Sequence, residues 1–173
     1  TFEETTEFIR REQGGAFTWE EIAKYREVWK GPLVLKGVLH PADAERAIAM
    51  GIDGLFVTNH GGRQIECLPA SIDVLPAIAE TVAGRATLIF DSGVRSGADA
   101  ARAIALGADA AFAGKAFLWS LGALGEMGPE HFIRLLVDEL RASMGQLGCS
   151  KISELRSLDR KHPSAWPSSS FQG

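Results

Sequence analysis

"ADAERAIAMGIDGLF" (residues 42–56) and "ADAARAIALGADAAF" (residues 98–112) are two versions of one pattern, set 56 residues apart. Each opens on an alanine-rich amphipathic segment, closes it with a glycine (Gly51, Gly107) and passes into a short apolar run. Apolar residues at helical spacing that end on glycine predict a helix, and the run that follows predicts a buried strand. An offset of this length holds two strand–helix units, so one more unit is expected between the copies. "SIDVLPAIAETVA" (71–83) supplies its helix and "ATLIFDSG" (86–93) its strand. Pro76 is expected to kink that helix or to mark a late start.

The same reading extends outward. "GPLVLKG" (31–37) predicts a buried strand over 33–36. "HPADAERAIAMG" (40–51) predicts a helix with Pro41 in its first turn and Gly51 as its C-terminal cap. "GLFVT" (54–58) and "AAFAG" (110–114) are the strands of the two repeat copies. "KAFLWSLGALG" (115–125) predicts a short helix and "PEHFIRLLVDELRASMGQL" (129–147) a long amphipathic one. Residues 1–30 read as mostly helical, with Ile22, Tyr25, Arg26 and Trp29 at helical spacing behind a Thr18/Glu21 capping box. Residues 157–173 are rich in Ser and Pro and are expected to be poorly ordered.

Short apolar strands alternating with helices predict an α/β fold with a parallel sheet. Repetition at a fixed offset points to a TIM (β/α)8 barrel, of which residues 1–156 make about the last four βα units. Half a barrel leaves two open parallel edges, which are unfavourable in water. The other half is therefore expected upstream of Thr1, which is not a Met, or from a partner chain.

Composition narrows the function. Apolar residues make up 46% of 173, enough for a core, and the net charge is −4. There is no dense basic stripe, so no nucleic-acid partner is expected. No apolar run reaches the roughly 20 residues that span a bilayer, and no basic-then-apolar leader is visible. Cys67 and Cys149 lack metal-ligand spacing, so neither a metal site nor a disulfide framework is expected. These features predict a cytoplasmic placement.

Chemistry in such barrels sits at the C-terminal ends of the strands. The four predicted ends carry Lys36-Gly37, then Asn59-His60-Gly61-Gly62-Arg63, then Asp91-Ser92-Gly93-Val94-Arg95, then Gly114-Lys115. A lysine after a strand, a lone histidine or an Asp-Gly turn is each ordinary surface by itself. Their convergence on one rim is not. The last two ends resemble a phosphate site. Gly93 and Gly114 let backbone N–H groups approach an anion, and Arg95 and Lys115 supply charge. The helix after Lys115 offers its N-terminus, and Asp91 can accept from sugar hydroxyls. This predicts a nucleotide-like cofactor with one phosphate. No GxGxxG or Walker pattern is present.

"LVLKGV" (33–38), "GLFVTNHGGRQ" (54–64), "LPAIAETVAGRATLIFDSGVRSGADAARAIALGADAAFAGKAFL" (75–118) and "SMGQLGCSKISEL" (143–155) together resemble the FMN-dependent 2-hydroxy acid oxidoreductases, which include glycolate oxidase, lactate oxidase and the FMN-linked lactate and mandelate dehydrogenases. The resemblance covers about residues 18–158. It implies that FMN is the cofactor and that a small L-2-hydroxy acid is the substrate. It implies that His60 is the active-site base and that His60 and Arg63 bind the substrate, Arg63 through the carboxylate. Whether His60 takes the C2 proton or the hydroxyl proton stays open. It implies that Lys36 stands by N1 and O2 of the isoalloxazine, and that Asp91, Ser92, Gly93, Arg95, Gly114 and Lys115 hold the ribityl and phosphate groups. Gly61 and Gly62 are expected to keep the turn clear, so that histidine and arginine share one small pocket.

Three departures stand out. Lys115 replaces the family's usual arginine, Ser92 a common glycine, and Ile65-Glu66-Cys67 the usual Leu-Asp or similar. His40, His131 and His162 match no catalytic motif and are expected at the surface or in packing. The resemblance further implies a homo-oligomer once the barrel is complete, and an electron acceptor that is oxygen, quinone or cytochrome, and it allows a placement at a membrane's periphery. Two alternatives remain: an incomplete or non-catalytic half-barrel that needs its N-terminal half, and another FMN- or phosphate-binding barrel enzyme.

Overall fold

The repeat seen in the sequence is a repeat of structure. A computed structural model describes residues 1–12 and 17–158. Four strands, β1 (Val34–Lys36), β2 (Gly54–Val57), β3 (Thr87–Phe90) and β4 (Ala110–Ala111), form one parallel sheet in the order β1-β2-β3-β4. The helices are α1 (Phe2–Glu12), α2 (Trp19–Val28), α3 (Pro41–Ala49), α4 (Ser71–Val82), α5 (Gly97–Ala105), α6 (Lys115–Leu124) and α7 (Gly128–Gln146). Among the described residues, no helix is long and apolar enough to cross a membrane.

The two repeat copies share their joints. α3 and α5 both end on a residue near φ −85, ψ 1 (Met50, Leu106), followed by a left-handed glycine, Gly51 at φ 79 and Gly107 at φ 115. Gly51, expected as the cap, is thus the residue just beyond it. Each copy then presents an aspartate to the start of the preceding strand. Asp53 Oδ2 accepts from Leu33 N–H and from Arg26, both at 2.8 Å. Asp109 Oδ2 accepts from Leu88 N–H at 2.7 Å, and Arg156 clasps its other oxygen. These two carboxylates lock successive strands in register at the end of the sheet away from the rim.

Side chains alternate across a strand. Leu55, Val57, Leu88 and Phe90 point outward and are buried beneath Ala44, Ala47, Leu75, Ile78, Val82 and Ile104 of the surrounding helices. The register Val34↔Gly54, Lys36↔Phe56 and Phe56↔Ile89 puts the alternate set on the concave face. There Phe56 meets Phe112 edge to face at 5.3 Å, while Phe112 is 50% and Val34 43% exposed. β1 was expected to be buried and is not: its flanking residues are exposed and only Leu35 is half-buried. An inward-facing position in a barrel is covered by strands on the opposite wall, and the described residues supply one four-stranded sheet with no strand opposite it.

The remaining differences are local. β4 pairs over two residues, not the five of "AAFAG". α4 begins at Ser71 and runs through Pro76 with no late start. The hydrogen bond that proline forfeits is the one to the Ile72 carbonyl, in the first turn. The Thr18/Glu21 capping box forms as read, Glu21 N–H on Thr18 Oγ1 at 3.3 Å and Thr18 N–H on the Glu21 carboxylate at 2.8 Å. His40 caps α3 by accepting Ala42 N–H at Nδ1, 3.1 Å, and His131 is exposed. Both cysteines are free, Cys67 exposed and Cys149 buried. Of the expected disordered tail, residues 159–173, with His162, lie outside the described residues. Ser157 closes a 3-10 turn, Ile152–Ser157.

Candidate active site

All four strands deliver their C-terminal ends to one side of the sheet, and a cavity of about 480 Å³ opens there. Its wall includes every residue singled out from the sequence: Lys36, His60, Arg63, Asp91, Ser92, Gly93, Arg95, Gly114 and Lys115. Lys36 enters from β1, with Nζ 5.2 Å over the Phe56 ring. His60 and Arg63 enter from the loop after β2, the Asp91–Arg95 group from the loop after β3, and Gly114 and Lys115 from the start of α6.

The loop after β2 owes its shape to its glycines in a way the sequence did not suggest. His60, Gly61 and Gly62 follow one another in the left-handed region, at φ 57, 66 and 69. An L-residue pays for that conformation and glycine does not. A Cβ added at Gly62 would meet nothing within 4 Å. Gly62 is therefore required for its backbone, not for clearance. At Gly61 both reasons apply, because a Cβ there would lie 3.2 Å from Lys115 Cε. The turn is stitched from both sides. Asn59 Oδ1 accepts Gly62 N–H at 3.2 Å, and the buried Ser71 at the start of α4 accepts Asn59 N–H at 2.9 Å.

Under the loop lies a polar knot. Thr58, 2% exposed, donates to Asp91 Oδ1, as does Ser92 at 2.8 Å. His60 N–H bonds Thr58 Oγ1 and Gly61 N–H bonds Ser92 Oγ, each at 3.0 Å. Lys115 Nζ donates to the Gly61 carbonyl at 2.7 Å. Among the described residues, the His60 ring and the Arg63 and Arg95 guanidiniums make no hydrogen bond, so their polar atoms are available to a ligand.

The phosphate reading can be tested against this geometry. Gly93 stands at φ 95, and a Cβ at Gly93 or Gly114 would meet nothing within 4 Å, so bare backbone faces open space. α6 starts at Lys115 without a side-chain cap, leaving first-turn N–H groups for an anion. Arg95 lies against the Trp119 ring at 5.3 Å, which holds its fork at the rim. Two cations, an uncapped helix end and uncluttered glycines fit a phosphate. Among the described residues, no group of three His, Cys, Asp or Glu is placed to hold a metal ion.

Thr58, Ser71 and Trp119 are site-shaping residues that the sequence reading passed over, and Asn59 is one that it placed at the rim without a role. Only the Asn59–Gly62 spacing carries a local signal, that of a side chain closing a turn. The others act on partners remote in sequence.

With the site laid out, comparison with known proteins is direct. The family model for FMN-dependent dehydrogenases matches residues 1–161. This chain belongs to that family. It is 44% identical over 142 residues to the L-lactate dehydrogenase of Alcaligenes faecalis, covering 82% of this chain and 38% of that protein. The L-lactate dehydrogenase of Pectobacterium atrosepticum is likewise 44% identical over 142 residues, 82% of this chain and 37% of that protein. Among solved structures, mandelate oxidase with (S)-4-hydroxymandelic acid superimposes with a TM-score of 0.78 at 40% identity, over 84% of this chain and 41% of that one. Mandelate oxidase with 3,3-difluoro-2-hydroxy-3-phenylpropionic acid gives 0.78, 40%, 84% and 44%. The chain thus spans less than half the length of these FMN-dependent dehydrogenase relatives, as four βα units of a (β/α)8 barrel should.

Proposed function

We propose that this chain carries the base, the carboxylate clamp and the phosphate cradle of an FMN-dependent oxidation of a small L-2-hydroxy acid to its 2-oxo acid. The supporting observation is the convergence of His60, Arg63, Lys36 and the Asp91–Lys115 rim on one cavity. Bound FMN supplies a two-electron acceptor. The Gly93 and Gly114 backbone, Arg95, the uncapped α6 N-terminus and Lys115 hold its phosphate, and Asp91, beside Ser92, its ribityl hydroxyls. Arg63 holds the substrate carboxylate with its planar fork and so fixes which face of C2 is presented. His60 brings an imidazole to the cavity wall and takes one proton from the substrate. Lys36, at the end of β1, offers positive charge where electron density accumulates.

The exposed concave face supports a second element of the reading. Phe112 and Val34 stand half-open to solvent there, so an N-terminal half-barrel completes the cavity wall and turnover requires it.

A visible spectrum of the chain joined to an N-terminal half-barrel of the family, with FMN, followed by anaerobic addition of lactate, glycolate and mandelate in turn, tests the proposal. A bound flavin band that one acid bleaches, and that His60→Ala no longer lets bleach, is the expected result. Bleaching that survives in His60→Ala removes the assigned base.

A further inference from the structure

His60 and Ser92 are both non-glycine residues at left-handed φ, 57 and 80. Conformations of that kind persist only where the surroundings over-determine them, and the two are joined by one hydrogen-bond network. Proton counting gives the network a direction. Thr58 and Ser92 own one hydroxyl proton each, and both point at Asp91 Oδ1. Their oxygens, 3.0 Å apart, are left to accept. They accept from two successive amides, Thr58 from His60 and Ser92 from Gly61. The Gly61 carbonyl is taken in turn by Lys115. Gly61 is therefore gripped at both of its backbone groups, and His60 at its amide.

Ser92 makes the case specific. Its backbone would be relaxed as glycine, so what serine adds at this position is one hydroxyl. Every polar contact of that hydroxyl lies in this loop or its anchor: it donates to Asp91 Oδ1, accepts from Gly61 N–H and lies 3.0 Å from Thr58 Oγ1. Lys115 spends one of its three donors on the loop and has two left for the rim. Asp91 commits Oδ1 and keeps Oδ2.

We propose that Thr58, Ser92 and Lys115 are positioning residues that set the aim of the His60 ring by holding the His60 and Gly61 backbone against Asp91. The proposal rests on the reading of His60 as the base. It adds that one set of rim residues both cradles the cofactor and aims the proton acceptor.

The test uses the isotope-labelled 173-residue chain and needs neither flavin nor substrate. Amide hydrogen exchange of Gly61, the ring resonances of His60 and urea stability are compared in wild type, Ser92→Gly, Lys115→Met and Lys115→Arg. In Ser92→Gly the fold is kept, because glycine accepts the backbone conformation freely. The Gly61 amide is then expected to exchange about five-fold faster, the loss of one ordinary hydrogen bond, and the His60 ring signals to move. Lys115→Met moves the ring signals as well, and Lys115→Arg restores them. Unchanged Gly61 exchange and an unmoved His60 ring in Ser92→Gly overturn the proposal. Faster Gly61 exchange with an unmoved ring also overturns it, because the bond then serves the fold alone. Failure of the acid-oxidation reading would appear as unbleached flavin and would leave these signals as they are.

Discussion

The two glycines between His60 and Arg63 should not be equally replaceable, and the difference can be worked from the structure. An L-residue in the left-handed region costs about 1–2 kcal/mol. Replacing glycine by alanine also stiffens the unfolded chain, which returns about 0.4–1 kcal/mol. At Gly62, φ 69 with nothing within 4 Å of an added Cβ, these are the only effects, and Gly62→Ala should cost about 1 kcal/mol. Gly61→Ala meets the same backbone cost at φ 66 and one more. Its Cβ would lie 3.2 Å from Lys115 Cε and 3.4 Å from Nζ. The lysine is exposed and can swing away, so no severe clash results. Its bond to the Gly61 carbonyl is lost instead, at about 1 kcal/mol. Gly61→Ala should therefore cost about 2 kcal/mol, roughly double its neighbour.

Urea unfolding with an unchanged m-value measures both variants. A double-mutant cycle isolates the extra cost. In a Lys115→Met background the bond is already gone, and Gly61→Ala should cost no more than Gly62→Ala. Equal costs in the wild type, or a cycle that closes additively, would refute the assignment of Lys115 to this loop.

Two further predictions concern the scaffold. Gly97→Ala should destabilise by about 3 kcal/mol or more, because its Cβ would fall 2.1 Å from Leu140 N and 2.5 Å from the Leu136 carbonyl of α7. Gly145→Ala, a position with nothing within 4 Å, is the control and should be neutral or slightly stabilising in the same denaturation assay. Acid should loosen the strand locks. Burial pushes the Asp109 carboxyl up, but Arg156 and the Leu88 N–H outweigh it and hold the group below its ordinary value, and the Leu33 N–H with Arg26 does the same for Asp53. Groups depressed in the folded state add stability above the unfolded carboxylate pKa, about 3.9, and lose it as pH falls through the folded value. The urea midpoint should thus drop below about pH 4, and Asp109→Asn should flatten part of that drop. A midpoint independent of pH there would contradict the lock.

How much was legible followed from where each signal resides. The fold was written locally: apolar period, terminal glycines and a repeat that Gly51 and Gly107 punctuate. That nine predicted residues would share one rim was legible because strand direction alone places them there, whatever their contacts. Burial of β1 was misread because an apolar run records the strand's own preference, whereas the exposure of Val34 depends on what stands across the barrel. The shared roles of Asp53 and Asp109 were hidden because an aspartate before a strand reads as a turn. Thr58, Ser71 and Trp119 were missed because a hydroxyl or an indole has no spacing signature. Thr58 finds Asp91 33 residues away, a pairing only the parallel sheet creates.

The purpose of Gly61 and Gly62 shows the same divide. Sequence suggested clearance for two side chains. The structure gives conformation first, then a grip on the Gly61 peptide by Lys115 and Ser92 of the rim proposed to hold the cofactor. That overlap changes how rim variants must be read. Loss of flavin in Lys115→Met would ordinarily assign the lysine to phosphate. Here the same change frees the Gly61 carbonyl, so a defect in turnover can follow even where flavin is supplied in excess. The two roles separate when affinity for FMN and the His60 ring signals are measured on the same variant. Ser92→Gly should move the ring far more than the affinity, because its hydroxyl is spent within the loop, while Arg95→Ala should do the reverse.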